Sequence, residues 1–198
     1  QVRPEDSDVK ARLAALLGLP AFGGRVQLRM KLEEAKQYAD ELIDLLTPSC
    51  KRIEIAGGIR RGKTEPHDIE IVAEPLIGGD EWGGLTAKTN WLDKRIKDLF
   101  VEYPTHFIRA PPNKAGAKAP LSEKYYKFLY KLSPVDLFVV TPPAQWGIVF
   151  LIRTGDADFS HRFVTRLWDY GLRSKDGHIE EIKTGKVLDA PEESDAFK

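Results

Sequence analysis

Cysteine, net charge and long apolar runs are all scarce in this sequence. The 198 residues include one cysteine, Cys50, which excludes an internal disulfide framework and a cysteine-based zinc site. The 30 Lys and Arg residues balance 30 Asp and Glu residues, so the molecule as a whole gives no electrostatic indication of a polyanionic partner. No apolar run approaches the roughly 20 residues of a membrane span, and the polar first residues do not resemble a signal peptide. We therefore expect a globular, cytoplasmic protein without a membrane contact.

The charges are unevenly distributed although they sum to zero. Residues 109–131 carry six basic side chains and one acidic side chain, whereas the last ten residues carry four acids and one lysine. Tyrosines interleave with the lysines over residues 124–131, a pattern that suits contact with a nucleic-acid strand. A solvated loop followed by a half-buried strand explains the same residues about equally well.

Hydrophobic periodicity divides the chain into helices and strands in an α+β order. It predicts helices over residues 7–17, 31–47, 88–102 and 158–170, and strands over 50–56, 67–73 and 134–140. Residues 125–132 fit a strand or a helix, and 145–155 are an apolar run that ends in a turn. We expect a short N-terminal helical extension (1–25), a main lobe with a mixed β-sheet flanked by helices (26–142), and a small C-terminal α/β lobe (143–198).

The segment AGGIRRGKTEPHDIEIVAEP (56–75) places two acidic residues in a strand, shortly after a glycine pair and an arginine pair. Side chains alternate across a strand, so Asp68 and Glu70 share one face. Two carboxylates side by side repel each other unless solvent or a cation separates them, and Mg²⁺ prefers such oxygen ligands. A solvent-exposed strand face is the alternative interpretation.

The residues before this strand have the chemistry of a phosphate-binding loop. Gly57 and Gly58 would let backbone N–H groups approach a phosphate closely, and Arg60 and Arg61 add guanidinium groups that suit phosphate oxygens. A tight turn with a charged surface would need the same residue types. Both interpretations stay open at this level.

A third carboxylate, Asp136, lies in the apolar segment VDLFVV (135–140). An unpaired Asp is costly among apolar neighbours, so a partner or a metal ion is expected there. Phosphate-binding groups beside three carboxylates fit two-metal phosphoryl transfer. In that chemistry one ion activates a hydroxyl and the other steadies the triphosphate.

GGIRRGKTEPHDIEIV (57–72) resembles the signature of the nucleotidyltransferase superfamily. More narrowly, it is similar to that of the X-family DNA polymerases, the family of DNA polymerase beta and terminal transferase. Their pattern is Gly-Gly or Gly-Ser, one spacer, Arg-Arg-Gly, five spacers and Asp-x-Asp. Two further motifs follow in the family's order: VDLFVV, and RTGDADFSHRF (153–163), which resembles the Thr-Gly-Ser-x-x-Phe-Asn turn and helix under the incoming nucleotide. Together the three motifs cover most of residues 30–180.

The resemblance implies a nucleotidyltransferase palm at 26–142 and a nucleotide-selecting lobe at 143–198. It implies that two Mg²⁺ or Mn²⁺ ions are held by three catalytic carboxylates, those of Asp68, Glu70 and Asp136. By the same resemblance, Gly57, Gly58 and Arg61 contact the triphosphate, Arg60 lies nearer the carboxylates, Gly155 lies by the sugar, and Ser160 faces the base. The full set implied to bind the nucleotide is Gly57, Gly58, Arg60, Arg61, Arg153, Thr154, Gly155 and Ser160.

The implied activity is transfer of a nucleotide from a nucleoside triphosphate to the 3′-hydroxyl of DNA by a monomer, with or without a template. The partners would be the nucleoside triphosphate and a DNA primer or primer–template. An acceptor of RNA, protein or a small molecule remains possible, because the whole superfamily shares the glycine–arginine–carboxylate core. A catalytically silent nucleic-acid-binding module is the second alternative, against which the intact carboxylates argue.

The chain departs from the family pattern at several positions. Glu70 replaces the usual Asp, Ser160 replaces an Asn, and Ile152 and Arg153 stand where an aromatic pair usually reads the sugar. We therefore expect weak discrimination against ribonucleotides. About 30 residues precede the implied palm, fewer than the family's lyase domain needs, which predicts a minimal form. The resemblance also predicts a cis peptide between Gly155 and Asp156.

Overall fold

The structure is a computed structural model that describes residues 30–79, 88–110, 121–122 and 124–198. The predicted extension at 1–25, with its helix at 7–17, and most of the basic stretch at 109–122 lie outside the described residues. The α-helices are α1 (Leu32–Leu46), α2 (Gly57–Arg60), α3 (Trp91–Glu102), α4 (Trp146–Thr154) and α5 (Ala157–Arg166), with 3₁₀ helices at Thr47–Ser49, Leu167–Tyr170 and Glu193–Phe197. None of these helices is long and apolar enough to cross a membrane.

The strands form one large mixed sheet and two small sheets. They are β1 (Cys50–Ile55), β2 (Ile69–Pro75), β3 (Ile77–Gly78), β4 (Thr89–Asn90), β5 (Phe107–Arg109), β6 (Leu121–Ser122), β7 (Tyr125–Tyr130), β8 (Ser133–Val139), β9 (Leu172–Lys175), β10 (His178–Glu181) and β11 (Val187–Leu188). The large sheet has the order β1-β2-β8-β7-β5, with β6 paired to β7. Strands β2 and β8 run parallel and the other pairs are antiparallel. The prediction of an α+β fold with a mixed sheet and flanking helices is therefore confirmed.

Helix α1 matches the predicted segment 31–47 because its apolar residues recur every three or four positions. Its buried side chains are Ala35, Ala39, Leu42 and Leu46. The helix ends where Pro48 enters the 3₁₀ helix Thr47–Ser49, since proline cannot donate the next backbone hydrogen bond. The chain then turns directly into β1 at one edge of the sheet.

The two faces of the large sheet have different partners. One face packs beneath α1 and α3, and its fully buried side chains include Ile69, Ile71, Val135 and Leu137. The opposite face carries Val72 and Phe138, which pack against α4. Because side chains alternate along a strand, Glu70 and Asp136 lie on this second face, beside the part that α4 covers.

The residues from Trp146 onward, called the C-terminal lobe below, begin with α4, where the sequence predicted only an apolar run that ends in a turn. Gly147 lets α4 pack closely against the backbone of Glu192. A Cβ at position 147 would lie only 2.2 Å from the carbonyl oxygen of Glu192. The predicted helix at 158–170 is confirmed as α5 followed by a 3₁₀ helix. The three-stranded sheet β11-β10-β9 then completes the lobe, with a small core around Ile148 and Ile179.

The predicted cis peptide between Gly155 and Asp156 was wrong. In the described residues the cis peptide lies between Pro142 and Pro143. Gly155 ends α4 in an ordinary extended conformation with φ −58° and ψ 152°. Asp156 caps α5 by accepting a 2.7 Å hydrogen bond from the N–H of Phe159.

Candidate active site

Three adjacent strands bring two acids and a lysine into one row. The parallel register of β2 and β8 pairs Glu70 with Asp136, and the antiparallel register of β7 and β8 pairs Lys127 with the same Asp136. Asp136 therefore lies between a negative neighbour and a positive neighbour on one face of the sheet. Asp68 precedes β2 and lies two residues before Glu70, so strand alternation directs it to this face as well.

The electrostatics of the row indicate crowded negative charge. Burial raises the pKa of Asp68, and the neighbouring charge of Asp136 raises it further, while Lys127 partly opposes both. Burial also raises the pKa of Glu70, followed by the charge of Asp68. Burial and mutual repulsion make it unfavourable for both carboxyl groups to carry a negative charge. A cation bound among them would offset this cost.

Asp136 is engaged by two side chains of β7. The Tyr125 hydroxyl donates to Oδ1 at 2.7 Å, and the Lys127 ammonium lies 2.9 Å from Oδ1 and 3.3 Å from Oδ2. The Asp136 carboxylate is only 13% exposed, and a carboxylate among apolar neighbours requires a partner. Tyr125 and Lys127 fill this requirement. The sequence prediction missed both roles. Both roles could have been predicted from the two-residue turn between β7 and β8, because a hairpin of that length fixes how the two strands pair.

The other tyrosines of β7 do not face a nucleic-acid groove. Tyr126 is buried and donates a 2.6 Å hydrogen bond to Asp93, and Tyr130 is buried and donates to Glu41 at 2.9 Å. The interleaved Tyr and Lys pattern is thus explained by a half-buried strand.

The glycine pair holds an anionic oxygen of the protein itself. Gly57 has φ +58°, and a Cβ at this position would lie 1.5 Å from Oε2 of Glu70. The N–H of Gly58 donates to the same Oε2 at 3.2 Å. Glycine is therefore required at 57 for conformation and for space, and the N–H of Gly58 is available to a negatively charged oxygen.

The two arginines have different surroundings. Arg60 forms two hydrogen bonds to the Glu193 carboxylate, at 3.0 and 2.8 Å, and a third to the Thr154 hydroxyl at 3.0 Å. Its guanidinium also lies 4.3 Å from the ring centroid of Phe150. Arg61 is exposed and donates to the backbone carbonyl of Thr154. Both arginines thus bond Thr154, and Arg60 also pairs with a carboxylate. Arg61 is exposed near Glu70, whose pKa it lowers.

The C-terminal lobe brings Arg153 towards the carboxylates. Its guanidinium lies 4.0 Å from the ring centroid of Phe138, and that ring stacks on Tyr125 at 5.1 Å. Arg153 is therefore connected to Asp136 through two aromatic rings and the Tyr125 hydroxyl.

The remaining residues of the predicted nucleotide site lie at the junction of α4 and α5. Ser160 donates from its hydroxyl to the carbonyl of Ile152 at 2.8 Å. Gly155 packs against the Phe159 ring, which would lie 2.4 Å from a Cβ at this position. The structure thus groups Gly57, Gly58, Arg60, Arg61 and Thr154 closely, and places Gly155 and Ser160 in the adjoining turn.

The described residues contain no group of three His, Cys, Asp or Glu side chains that encloses a metal site. Glu70 accepts a hydrogen bond from the N–H of Gly58, and Asp136 is held by Lys127 and Tyr125. The chemistry of the donor set nevertheless fits a hard divalent cation, because Asp68, Glu70 and Asp136 supply only carboxylate oxygens and two of them have raised pKa values.

A shallow surface depression lies away from these carboxylates. It is lined by Ile77, Lys88, Thr89, Asn90, Asp93, Lys94, Lys97 and Thr141. Lys97 is paired with Asp93 at 2.6 Å, and none of the predicted site residues lines the depression. It therefore gives no second candidate for the site.

Comparison with known proteins adds no further assignment. No protein-family model matches the chain, and no curated protein matches it. The resemblance to X-family polymerases therefore depends on the three sequence motifs and on the placement of their residues described above.

Proposed function

We propose that this protein is a metal-dependent nucleotidyltransferase that adds nucleotides to the 3′-hydroxyl of DNA and releases pyrophosphate. The observation that carries the proposal is the pairing of Glu70 with Asp136 on adjacent parallel strands, beside the glycine pair that already holds an anionic oxygen. Phosphate-binding groups next to three acids on one open face have the composition that phosphoryl transfer requires.

The ligands of two Mg²⁺ or Mn²⁺ ions would be Asp68, Glu70 and Asp136. Bound there, the ions would supply charge neutralisation at the triphosphate and a lowered pKa for the attacking hydroxyl. In the reaction the primer 3′-oxygen forms a bond to the α-phosphorus, and the bond from that phosphorus to the oxygen that bridges it to the β-phosphate breaks. By the same proposal, the Asp136 carboxylate would help to accept the proton of the 3′-hydroxyl and pass it to solvent.

The chain's own donors suit the triphosphate. The N–H of Gly58, which here donates to Glu70, and the exposed guanidinium of Arg61 both present donors beside the acids. The outgoing pyrophosphate gains negative charge, which a guanidinium stabilises through charge-assisted hydrogen bonds. Arg60 maintains the position of this loop through Glu193 and Thr154.

A polynucleotide acceptor is favoured over a small molecule by the outer face of α5 and the 3₁₀ helix after it. Trp168 is 61% exposed and Tyr170 is 79% exposed. Arg162 and Arg166 are exposed on the preceding helix. Exposed aromatic rings beside arginines are the combination that stacks bases and contacts phosphates of a single strand.

The test is a primer-extension assay with DNA, RNA and no primer, with and without a template strand, and with deoxy- or ribonucleoside triphosphates. We expect DNA primers to be extended in Mg²⁺ or Mn²⁺, with discrimination against ribonucleotides of at most about a hundredfold. The double variant Arg162→Ala/Arg166→Ala should weaken primer binding and reduce its salt dependence by a slope of about 2. If only RNA primers are extended, the acceptor is RNA rather than DNA. If neither kind of primer is extended, the proposal is wrong.

A further inference from the structure

Asp136 has a positive neighbour within the fold. The Lys127 ammonium contacts both oxygens of this carboxylate, at 2.9 and 3.3 Å, from the directly opposite position on β7. Lys127 also lowers the pKa of Asp68, so its charge acts on more than one acid of the row. In the sequence this lysine is one of several in a basic stretch, and its partner follows only once the β7–β8 hairpin is recognised.

We propose that Lys127 is a resident counter-ion of the carboxylate row and that it sets the affinity of the row for divalent cations. This inference rests on the proposed function. In the metal-free protein the ammonium neutralises Asp136 and fixes its orientation together with the Tyr125 hydroxyl. A divalent cation needs the same two oxygens, so its binding requires the ammonium to leave them.

The geometry allows such an exchange. The Lys127 side chain is 26% exposed and Asp136 is 13% exposed, so the row is accessible from solvent on this side. Lysine carries its charge on a flexible four-carbon chain and can release one partner without a change of backbone. Tyr125 keeps its 2.7 Å hydrogen bond to Oδ1 as a second anchor for the carboxylate. Lys127 is thus a positioning residue for Asp136.

The chain offers a matched control on the same hairpin. Lys131 pairs with Glu41 at 2.6 Å, and these side chains are 30% and 32% exposed. This pair joins the hairpin to α1. Removing the Lys131 charge therefore breaks a similar ion pair without touching the carboxylate row.

The experiment measures Mn²⁺ binding by electron paramagnetic resonance in the absence of nucleotide, for the parent, Lys127→Met, Lys127→Arg and Lys131→Met. We expect Lys127→Met to bind Mn²⁺ about tenfold more tightly, as removal of one nearby unit charge requires. Lys127→Arg should keep the parental affinity because it restores the charge, and Lys131→Met should not differ from the parent. Without metal, Lys127→Met should also melt below the parent, and Mn²⁺ should raise its melting temperature by more than it raises that of the parent.

Two results are distinguishable failures. If the parent binds Mn²⁺ and extends primers but Lys127→Met binds Mn²⁺ no more tightly, the counter-ion inference is wrong and the proposed function stands. If the parent neither binds Mn²⁺ nor transfers nucleotides, both are wrong.

Discussion

The position of the Glu70 side chain depends on the backbone of Gly57 and Gly58. Its carboxylate lies where a side chain of residue 57 would otherwise be, and it accepts a hydrogen bond from the N–H of Gly58. The length of the glutamate side chain lets its carboxylate reach the glycine pair.

The two glycines provide a test at residue level. Gly57→Ala should lower the free energy of unfolding by about 1–2 kcal/mol, because alanine is strained at positive φ, and should displace Glu70 and abolish transfer. Gly58→Ala is the matched control, since its Cβ would lie 3.6 Å from the Lys63 side chain, an ordinary contact. Urea denaturation checks both variants. Equal stability for Gly57→Ala and the parent would contradict the described position of Glu70.

The raised pKa of Asp68 predicts that the stability of the fold depends on pH. Its pKa in the fold lies above the ordinary value of about 3.9, so the folded protein binds this proton more tightly than the unfolded chain does. Its stabilising contribution is present below about pH 4 and is lost as the pH rises through the raised pKa. Metal-free Asp68→Asn should therefore melt above the parent at pH 7, with a smaller difference near pH 4.

Scanning calorimetry across this pH range measures the difference. Asp40→Asn, which removes an acid at an exposed position of α1 away from the carboxylate row, is the control variant. An Asp68→Asn variant that melts below the parent at pH 7 would show that the carboxylate is stabilising rather than costly.

Separate substitutions of Arg60 and Arg61 should distinguish a role in stability from a role in nucleotide binding. Arg61→Ala should weaken nucleotide use by about 1.5–3 kcal/mol, the range for a hydrogen bond to a charged group, with little change in melting temperature. Arg60→Ala should instead lower the melting temperature, because it breaks the bonds to Glu193 and Thr154. Steady-state kinetics and thermal melts of both variants distinguish the two roles. Unchanged kinetic constants for Arg61→Ala would remove it from the site.

At the level of elements, the hairpin between β7 and β8 sets the register that places Lys127 opposite Asp136. Its two-residue turn is formed by Lys131 and Leu132, both at positive φ, 48° and 68°. The β9–β10 hairpin uses Asp176 and Gly177 for the same purpose, which is the combination that such turns favour. The β7–β8 turn therefore carries backbone strain that the pairing of β8 with β7 and β2 must offset.

Leu132→Gly should relieve this strain and raise the free energy of unfolding by about 0.5–1 kcal/mol. Gly185→Ala is the opposite control: Gly185 has φ +71° with no atom near its Cβ position, so only backbone strain is added. Urea denaturation of the two variants should give changes of opposite sign. A destabilised Leu132→Gly variant would mean that packing of the leucine side chain outweighs the strain.

The sequence predicted most elements because their periodicity is regular. The helix at 31–47 and the strands at 50–56, 67–73 and 134–140 are found within a few residues of the predicted limits. Residues 125–132 were ambiguous because the lysines at 124, 127 and 131 recur at three- and four-residue intervals, as on a helix, whereas the aromatic residues between them are typical of strands. Helix α4 was missed because it is apolar on most sides, covered by the sheet and by the C-terminal residues, and therefore has no polar stripe to reveal a helical period.

At the level of the whole molecule, the two lobes are joined by ion pairs that no local pattern predicts. Arg52 and Arg60 of the sheet lobe bond Glu192 and Glu193 near the C-terminus. The acidic C-terminal residues thus meet these arginines, 133 and 140 positions away in sequence. Pairs at this separation depend on the complete fold, whereas the pairing of Lys127 with Asp136 is set locally by the β7–β8 hairpin. The acids of the candidate site could be predicted from the sequence, and the hairpin could have indicated Lys127, but the distant arginine pairs could not be predicted.

The measurement that decides most about the proposed function is single-turnover nucleotide addition to a labelled DNA primer by the parent and Asp136→Asn, in Mg²⁺ and with the metal chelated. Asp136→Asn keeps the shape of the side chain, so circular dichroism and melting curves should report a folded variant. We predict Mg²⁺-dependent extension by the parent and a loss of at least about a thousandfold in the variant. Extension that survives chelation, or a folded Asp136→Asn variant within about tenfold of the parental rate, would contradict the assignment of these carboxylates as the catalytic metal site.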